Sequence, residues 1–263
     1  MLKIMYCITI SILLICLSGC DKGEEWELTW SDEFDYIGKP SQASWGYEEG
    51  YVRNRELQYY TDELKNAKVE NGYCTIQAIL ESEDSITSAS INTFGKIDFL
   101  YGRIEVRAKI PSALGSWPAI WMLGNNKSEI GWPACGEIDI MEHVGFDPDM
   151  IHANVHTKSY NHVLGTNKGN QIEIQDPWSD FHVYAVEWFV DHMDFFFDDT
   201  LYFSFRNDMA GDKDTWPFDR PHYLLINLAY GGGWGGQQGV DTSLLPLKYE
   251  IDYVRYYKKP DNK

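Results

Sequence analysis

Hydrophobic and polar positions alternate with a period of two along much of the chain, which is the period of a β-strand. Tyr101–Ile110 shows it most cleanly: Ile104, Val106, Ala108 and Ile110 fall on one face and charged residues on the other. Pro111 closes that run. Similar runs predict strands at 26–30, 57–60, 73–80, 119–123, 137–143, 151–157, 171–174, 181–190, 193–198, 201–205, 222–230 and 249–257. Asn71-Gly72 carries a hairpin signature. Residues 36–55 and 81–92 are polar or rich in turn formers and read as loops. Helical periodicity is nearly absent. Many short strands separated by turn signals predict an all-β, antiparallel sandwich or barrel.

One stretch breaks the alternation in an informative way. In Trp132–Val144 three acids, Glu137, Asp139 and Glu142, interleave with Ile138, Ile140 and Met141. A regular strand would put Glu137 and Asp139 on one face, but would send Glu142 into the core. A buried unpaired carboxylate is costly. One extra residue near Ile140 or Met141, a β-bulge, returns Glu142 to the acid face and lets Met141 pack. Glu137 and Glu142 are then about 13 Å apart along the backbone. Two long side chains leaning together bring their carboxyls near the roughly 5–5.5 Å separation of a retaining glycosidase. The short Asp139 between them leaves room for a sugar. Three acids this close cannot all ionise freely, so at least one pKa should rise, as a general acid requires.

Composition narrows the partner. Aromatic residues make up 15% of the 263 residues, with 10 Trp and 17 Tyr, more indoles than one core can satisfy. Some are expected to be exposed, and flat aromatic faces suit the apolar faces of sugar rings. The formal charge of −18 argues against nucleic acid and against sulfated or uronate-rich polymers. A neutral polymer fits best.

The N-terminus reads as a leader. Lys3 precedes an apolar run from Ile4 to Leu17, too short for a comfortable membrane span. Leu17-Ser-Gly-Cys20 resembles a bacterial lipobox, which makes residues 1–19 a signal peptide, Cys20 the lipidated first residue and 20–26 a tether. The expected location is the cell envelope, with a lipid anchor in the outer membrane. The nearby Asp21, Glu24 and Glu25 resemble the acidic patch that accompanies surface export in some lipoproteins. Residues 27–258 form the expected single domain, as a monomer. Cys74 and Cys135 either pair in an oxidising envelope or stay as buried thiols.

Three further motifs divide between chemistry and architecture. His152-Ala-Asn-Val-His156 has a spacing that binds zinc on a helix, but here it lies on a strand. His156 is better placed as a polar wall of a groove. Gly231-Gly-Gly-Trp-Gly-Gly236 lacks the Gly-Lys-Ser/Thr ending of a phosphate loop and no helix follows it, so a loop presenting Trp234 at a groove rim is expected. Trp117-Pro-Ala-Ile-Trp121 supplies at least one sugar platform beside the acids.

Taken together, Tyr101-Gly-Arg-Ile-Glu105, Trp117–Gly124, Trp132–Glu142, Phe181–Trp188, Trp216-Pro-Phe218 and Ile251–Tyr256 resemble glycoside hydrolase family 16, in its laminarinase-like members. The resemblance covers about residues 28–257. It implies a concanavalin A-like jelly-roll β-sandwich with a substrate cleft on the concave sheet. It implies an endo-acting, retaining hydrolase of β-1,3-glucosidic bonds in laminarin-type or mixed-linkage β-glucan. Glu137 corresponds to the nucleophile, Glu142 to the acid/base and Asp139 to the residue that tunes the nucleophile. Met141 matches the extra residue that marks β-1,3-glucanases. Substrate contacts are implied for Asn54, Arg103, Trp117, Trp121, Trp132, His156 and Trp234. No cofactor is implied for catalysis, but some members hold a structural calcium, here matched by Glu33, the Gly72 carbonyl and Asp252. Two departures stand out: Arg55 and Gly233 occupy positions where the family often has Asn. The competing readings are a surface glycan-binding lipoprotein without catalysis, and a same-fold agarase or carrageenase, which the acidic charge and the bulged motif weaken.

Overall fold

The computed structural model describes residues 25–83 and 85–260. The expected signal peptide, Cys20, most of the tether and the last three residues lie outside that range. In chain order the strands are β1 (Glu27–Asp32), β2 (Gly46–Tyr47), β3 (Gln58–Tyr60), β4 (Ala67–Glu70), β5 (Tyr73–Ser82) and β6 (Ser85–Ser88). There follow β7 (Ser90–Asn92), β8 (Gly102–Lys109), β9 (Ser116–Gly124), β10 (Glu137–Glu142), β11 (Met150–His156) and β12 (Lys168–Glu173). The last five are β13 (His182–Trp188), β14 (His192–Phe197), β15 (Thr200–Arg206), β16 (His222–Tyr230) and β17 (Leu247–Lys258). One helical turn, α1 (Lys127–Ile130), interrupts the β9–β10 connection.

The strands form two sheets of ten and seven strands, the expected jelly-roll sandwich. The larger runs β15-β14-β13-β8-β17-β5-β6-β3, with β1 on β17 and β4 on β5; the smaller runs β12-β11-β10-β9-β16-β7-β2. Pairing is antiparallel except between β3 and β6. The alternation in β8 places Ile104, Val106 and Ala108 in the core. They meet Ile120 and Met122 of β9, Ile138 and Ile140 of β10 and Leu224, Ile226 and Leu228 of β16 in one cluster between the sheets. Each such isoleucine, valine, leucine or methionine side chain contributes about 1.5–3 kcal/mol through burial.

The smaller sheet also covers much of its outer face. Ala119, Trp121 and Leu123 of β9 pack there with Tyr223 and Leu225 of β16 and with Cys135. All nine residues of β16 are therefore buried. That second apolar layer is the floor of a cleft.

Every strand expected from the alternation is present, with ends shifted by a few residues. Four were missed. β6 and β7 lie in 81–92, whose polar composition reads as loop, because buried hydroxyls replace apolar contacts there. Ser88 donates to the Leu228 carbonyl at 2.7 Å and Ser90 to Glu48 at 2.6 Å. β2 and β4 are too short to show a period. Asn71-Gly72 does turn β4 into β5, with both residues at positive φ.

Candidate active site

β10 is the centre of the site. On its β11 side, Glu137 lies opposite His156, Asp139 opposite Asn154 and Glu142 opposite His152. Three steps on β10 thus match two on β11, and the β9 register shifts between Asp139 and Met141. This is the bulge the acid pattern requires. Ile138, Ile140 and Met141 are fully buried in the core. The three acids share the cleft face. Since Glu137 and Glu142 face residues four apart on β11, their backbones are about 13 Å apart.

The outer two acids are each bound by an indole, and His156 stands beside Asp139 and Glu137. Trp132 Nε1 donates to Glu137 Oε2 at 2.8 Å, and Trp117 Nε1 donates to Glu142 Oε1 at 3.0 Å. His156 Nε2 lies 3.2 Å from Asp139 Oδ2 and 3.7 Å from Glu137 Oε1. Burial is the largest influence on all three and pushes Glu137, Asp139 and Glu142 each up to about 8. The Asp139 charge raises Glu137 and Glu142 further, while His156 and the indole donors pull them back. At neutral pH the trio therefore holds protons that isolated carboxyls would have lost.

A cleft of about 700 Å³ opens above these acids. It is lined by Asn54, Trp117, Trp121, Trp132, His156 and Trp234, as expected from the sequence. Trp121 forms floor: its Nε1 donates to Asn227 at 2.7 Å, and the Arg53 guanidinium lies 4.8 Å from its ring. Trp234 stands edge-on to Trp117 and to His152, with centroids 5.6 and 5.0 Å apart. Its glycine loop is held down by the Gly233 N–H donating to the Asn54 carbonyl at 2.9 Å. A Cβ on Gly235 would come within 2.7 Å of the Gly231 carbonyl, so the loop needs glycine there.

Arg103 is the exception. It is absent from the cleft and sits on β8 of the larger sheet, between Glu105 and Glu187 at 3.0 Å each. Strand alternation gives the reason: Ile104 and Val106 take the core side of β8, so Arg103 faces away from both core and cleft. Sequence reading also missed several lining residues. Arg53 pairs with Glu48 beneath the cleft. Glu56 accepts from Gln58 at 2.7 Å and from Asn54 at 3.2 Å. His162 stacks near Trp132, with centroids 5.1 Å apart. Asn227 follows the β16 alternation and was findable; His162 sits in a loop with no periodic signal.

The matching calcium positions lie around one corner of the larger sheet. Ile251 pairs with Cys74, two residues past Gly72, and Val254 pairs with Asp32, one before Glu33. The register brings the Glu33, Gly72 and Asp252 positions to that corner, where two carboxylates and a carbonyl would be oxygen donors of the kind calcium takes. Both carboxylates hold guanidinium groups, Glu33 with Arg255 and Asp252 with Arg107, so an ion would exchange with two arginines. Cys74 and Cys135 are both buried free thiols.

Comparison with known proteins gives the family and the fold. The family model for glycosyl hydrolases family 16 matches residues 41–255. A β-glucanase of Rhodothermus marinus is 47% identical over 267 residues, covering 94% of this chain and 93% of its own. The solved laminarinase of Rhodothermus marinus superposes with a TM-score of 0.87 at 48% identity, covering 90% of this chain and 99% of that one. The laminarinase of Flavobacterium sp. UMI-01 gives 0.82 at 39% identity, covering 88% and 100%.

Proposed function

The chain belongs to glycosyl hydrolases family 16, and we propose that it is an endo-acting, retaining hydrolase of β-1,3-glucosidic bonds in laminarin-type or mixed-linkage β-glucan. The observation that carries this reading is the trio of acids on one face of a bulged strand, the outer two each bound by an indole N–H, at the floor of an aromatic cleft. An open cleft with aromatic walls suits internal cleavage of a polymer.

In this reading Glu137 attacks the anomeric carbon as the glycosidic C–O bond breaks. Glu142 gives its proton to the departing oxygen; burial raises its pKa, as it does those of Glu137 and Asp139, and the family correspondence rather than the shift assigns it the acid role. A glycosyl ester on Glu137 results. Glu142, now ionised, takes a proton from water as that water attacks the same carbon and frees the Glu137 carboxylate. Two displacements retain the configuration. The Trp132 N–H and His156 support the anionic form of Glu137, and Asp139 sits between the two working acids. Trp117 and Trp234 offer ring surfaces to the sugar beside Glu142.

The test is the proton NMR of the first product, expected to be the β-anomer; an α-anomer appearing first would overturn the assignment. Glu142→Ala should lower turnover of laminarin by about 10²–10⁴. Azide should restore part of it on an activated aryl glycoside, where neither acid nor base is needed. Glu137→Gln should abolish both.

Calcium belongs to stability in this reading. Glu33, Asp252 and the Gly72 carbonyl would hold the ion and tie β1, the β4–β5 hairpin and β17 together, with no part in the reaction. Added calcium should raise the thermal midpoint and Asp252→Asn should remove that rise. A midpoint indifferent to both calcium and chelator would rule the ion out.

A further inference from the structure

Four large apolar side chains within nine residues stand exposed outside the cleft wall: Tyr51, Val52, Leu57 and Tyr59. Tyr51 is 68% exposed and Tyr59 42%, yet their rings meet edge to face with centroids 5.4 Å apart. This pair is rigidly mounted. Gly50 and Tyr60 exchange two backbone hydrogen bonds of 3.0 Å, which fixes Tyr51 beside Tyr59. The alternation of β3 turns Gln58 and Tyr60 inward and Tyr59 outward. Tyr60 is anchored beneath, accepting from Asn227 at 3.0 Å and donating to Glu56 at 3.3 Å. Rings already held in place bind without an ordering cost.

The pair is continuous with the cleft. Arg53, Asn54 and Glu56 of the same segment line it. Leu57 lies against the glycine loop, so close that a Cβ on Gly231 would fall 2.7 Å from its side chain. Gly233 and Trp234 of that loop line the cleft in turn. Leu57, in the segment between the cleft residue Glu56 and Tyr59, thus joins the glycine loop that carries Trp234 to the strand that carries Tyr59. The chemistry of the tyrosine pair is uncharged, with flat faces and a hydroxyl on each ring. That matches the apolar faces and hydroxyl edges of a neutral sugar chain. Among the described residues no lysine or arginine lies over either ring, the exposed Arg55 being the one cation of the segment Tyr51–Tyr59 that points to solvent.

We propose that Tyr51 and Tyr59 form an auxiliary platform that binds neutral β-glucan outside the cleft, on the same polymer that the acids cut. The proposal rests on the hydrolase reading above and adds a second contact with the same substrate. The decisive variant is Tyr51→Ala with Tyr59→Ala, assayed on laminarin and on a short β-1,3-gluco-oligosaccharide contained within the cleft. The expected result is a KM for laminarin raised by about tenfold. Both kcat and hydrolysis of the short substrate should be unchanged, which also shows that the variant is folded. Tyr51→Phe with Tyr59→Phe, which keeps the rings, should keep most of the laminarin affinity. An unchanged KM for laminarin, or an equal loss on both substrates, overturns the platform. So does tyrosine-dependent binding of Glu137→Gln protein to phospholipid vesicles in place of laminarin. Wild-type protein inert on both sugars would overturn the hydrolase reading itself.

Discussion

Two acids of β10 are held by indole N–H groups from different elements, Glu137 by Trp132 of the preceding loop and Glu142 by Trp117 of β9, while Asp139 Oδ2 lies 3.2 Å from His156 Nε2 of β11 without a hydrogen bond. This fixes the carboxyls at the expense of folding. Burial raises Asp139 from 3.8 to about 8, so its protonated form is favoured in the folded state. Its contribution to stability is therefore full at low pH and is lost as the pH rises from about 4 towards 8. Asp139→Asn removes this titration. At pH 4 the variant should unfold at nearly the same urea concentration as the wild type. At pH 8 it should be the more stable by about 0.5–2 kcal/mol, the usual scale for relieving a functional site. Its kcat should fall, since Asp139 no longer shares charge with Glu137 and Glu142. A variant less stable than wild type at pH 8 would mean that His156 more than offsets the burial of this carboxyl.

At the level of elements, the bulge in β10 does two jobs that a single deletion separates. Without Met141 the sequence reads Glu-Ile-Asp-Ile-Glu, which alternates in a regular strand and keeps the acids on one face. Deleting Met141 should therefore leave a folded protein with its acid face intact. It should lose about 2–5 kcal/mol, because a fully buried side chain leaves the core. It should also lose turnover, because Glu142 moves relative to Trp117. Urea unfolding and a laminarin assay check both, and unfolded protein would show that the bulge is needed for the sheet itself. The same element shows how much could be read in advance. The acids and the bulge were legible because sending Glu142 into the apolar core would be so costly that the strand had to shift its register to keep it on the cleft face, and the cleft tryptophans because one core cannot satisfy so many indoles. β8 was legible by its alternation and β16 by its long, nearly unbroken apolar run. β6 and β7 were not, because Ser88 and Ser90 satisfy their hydroxyls on long-range partners, and such pairing leaves no periodic mark. Arg103 was misplaced because a family motif shows that a residue recurs, not which sheet face it takes. Asn227 reached the cleft by simple alternation on β16, whereas His162 arrived through a loop.

For the whole molecule, charge decides which polymer can approach. The chain carries a formal −18, which the acids elsewhere on its surface largely set, since burial keeps the cleft acids Glu137, Asp139 and Glu142 partly protonated at neutral pH. A neutral β-glucan feels none of that field, so its kcat/KM should stay flat as salt rises. A sulfated galactan chain must enter against it. Steering fields change association rates by about 10–10³, and an opposing field should slow such a polyanion comparably. Salt screens this repulsion, with a Debye length near 10 Å at 0.1 M, so any residual activity on the polyanion should rise with ionic strength. Parallel assays on laminarin and on a sulfated galactan across a salt series test both halves. Equal kcat/KM on the two polymers at low salt would show that local contacts outweigh the field of the whole chain. A steep salt dependence on laminarin would show that charged groups contribute to binding a neutral sugar, against a cleft whose walls are aromatic and whose acids act on the bond being cut.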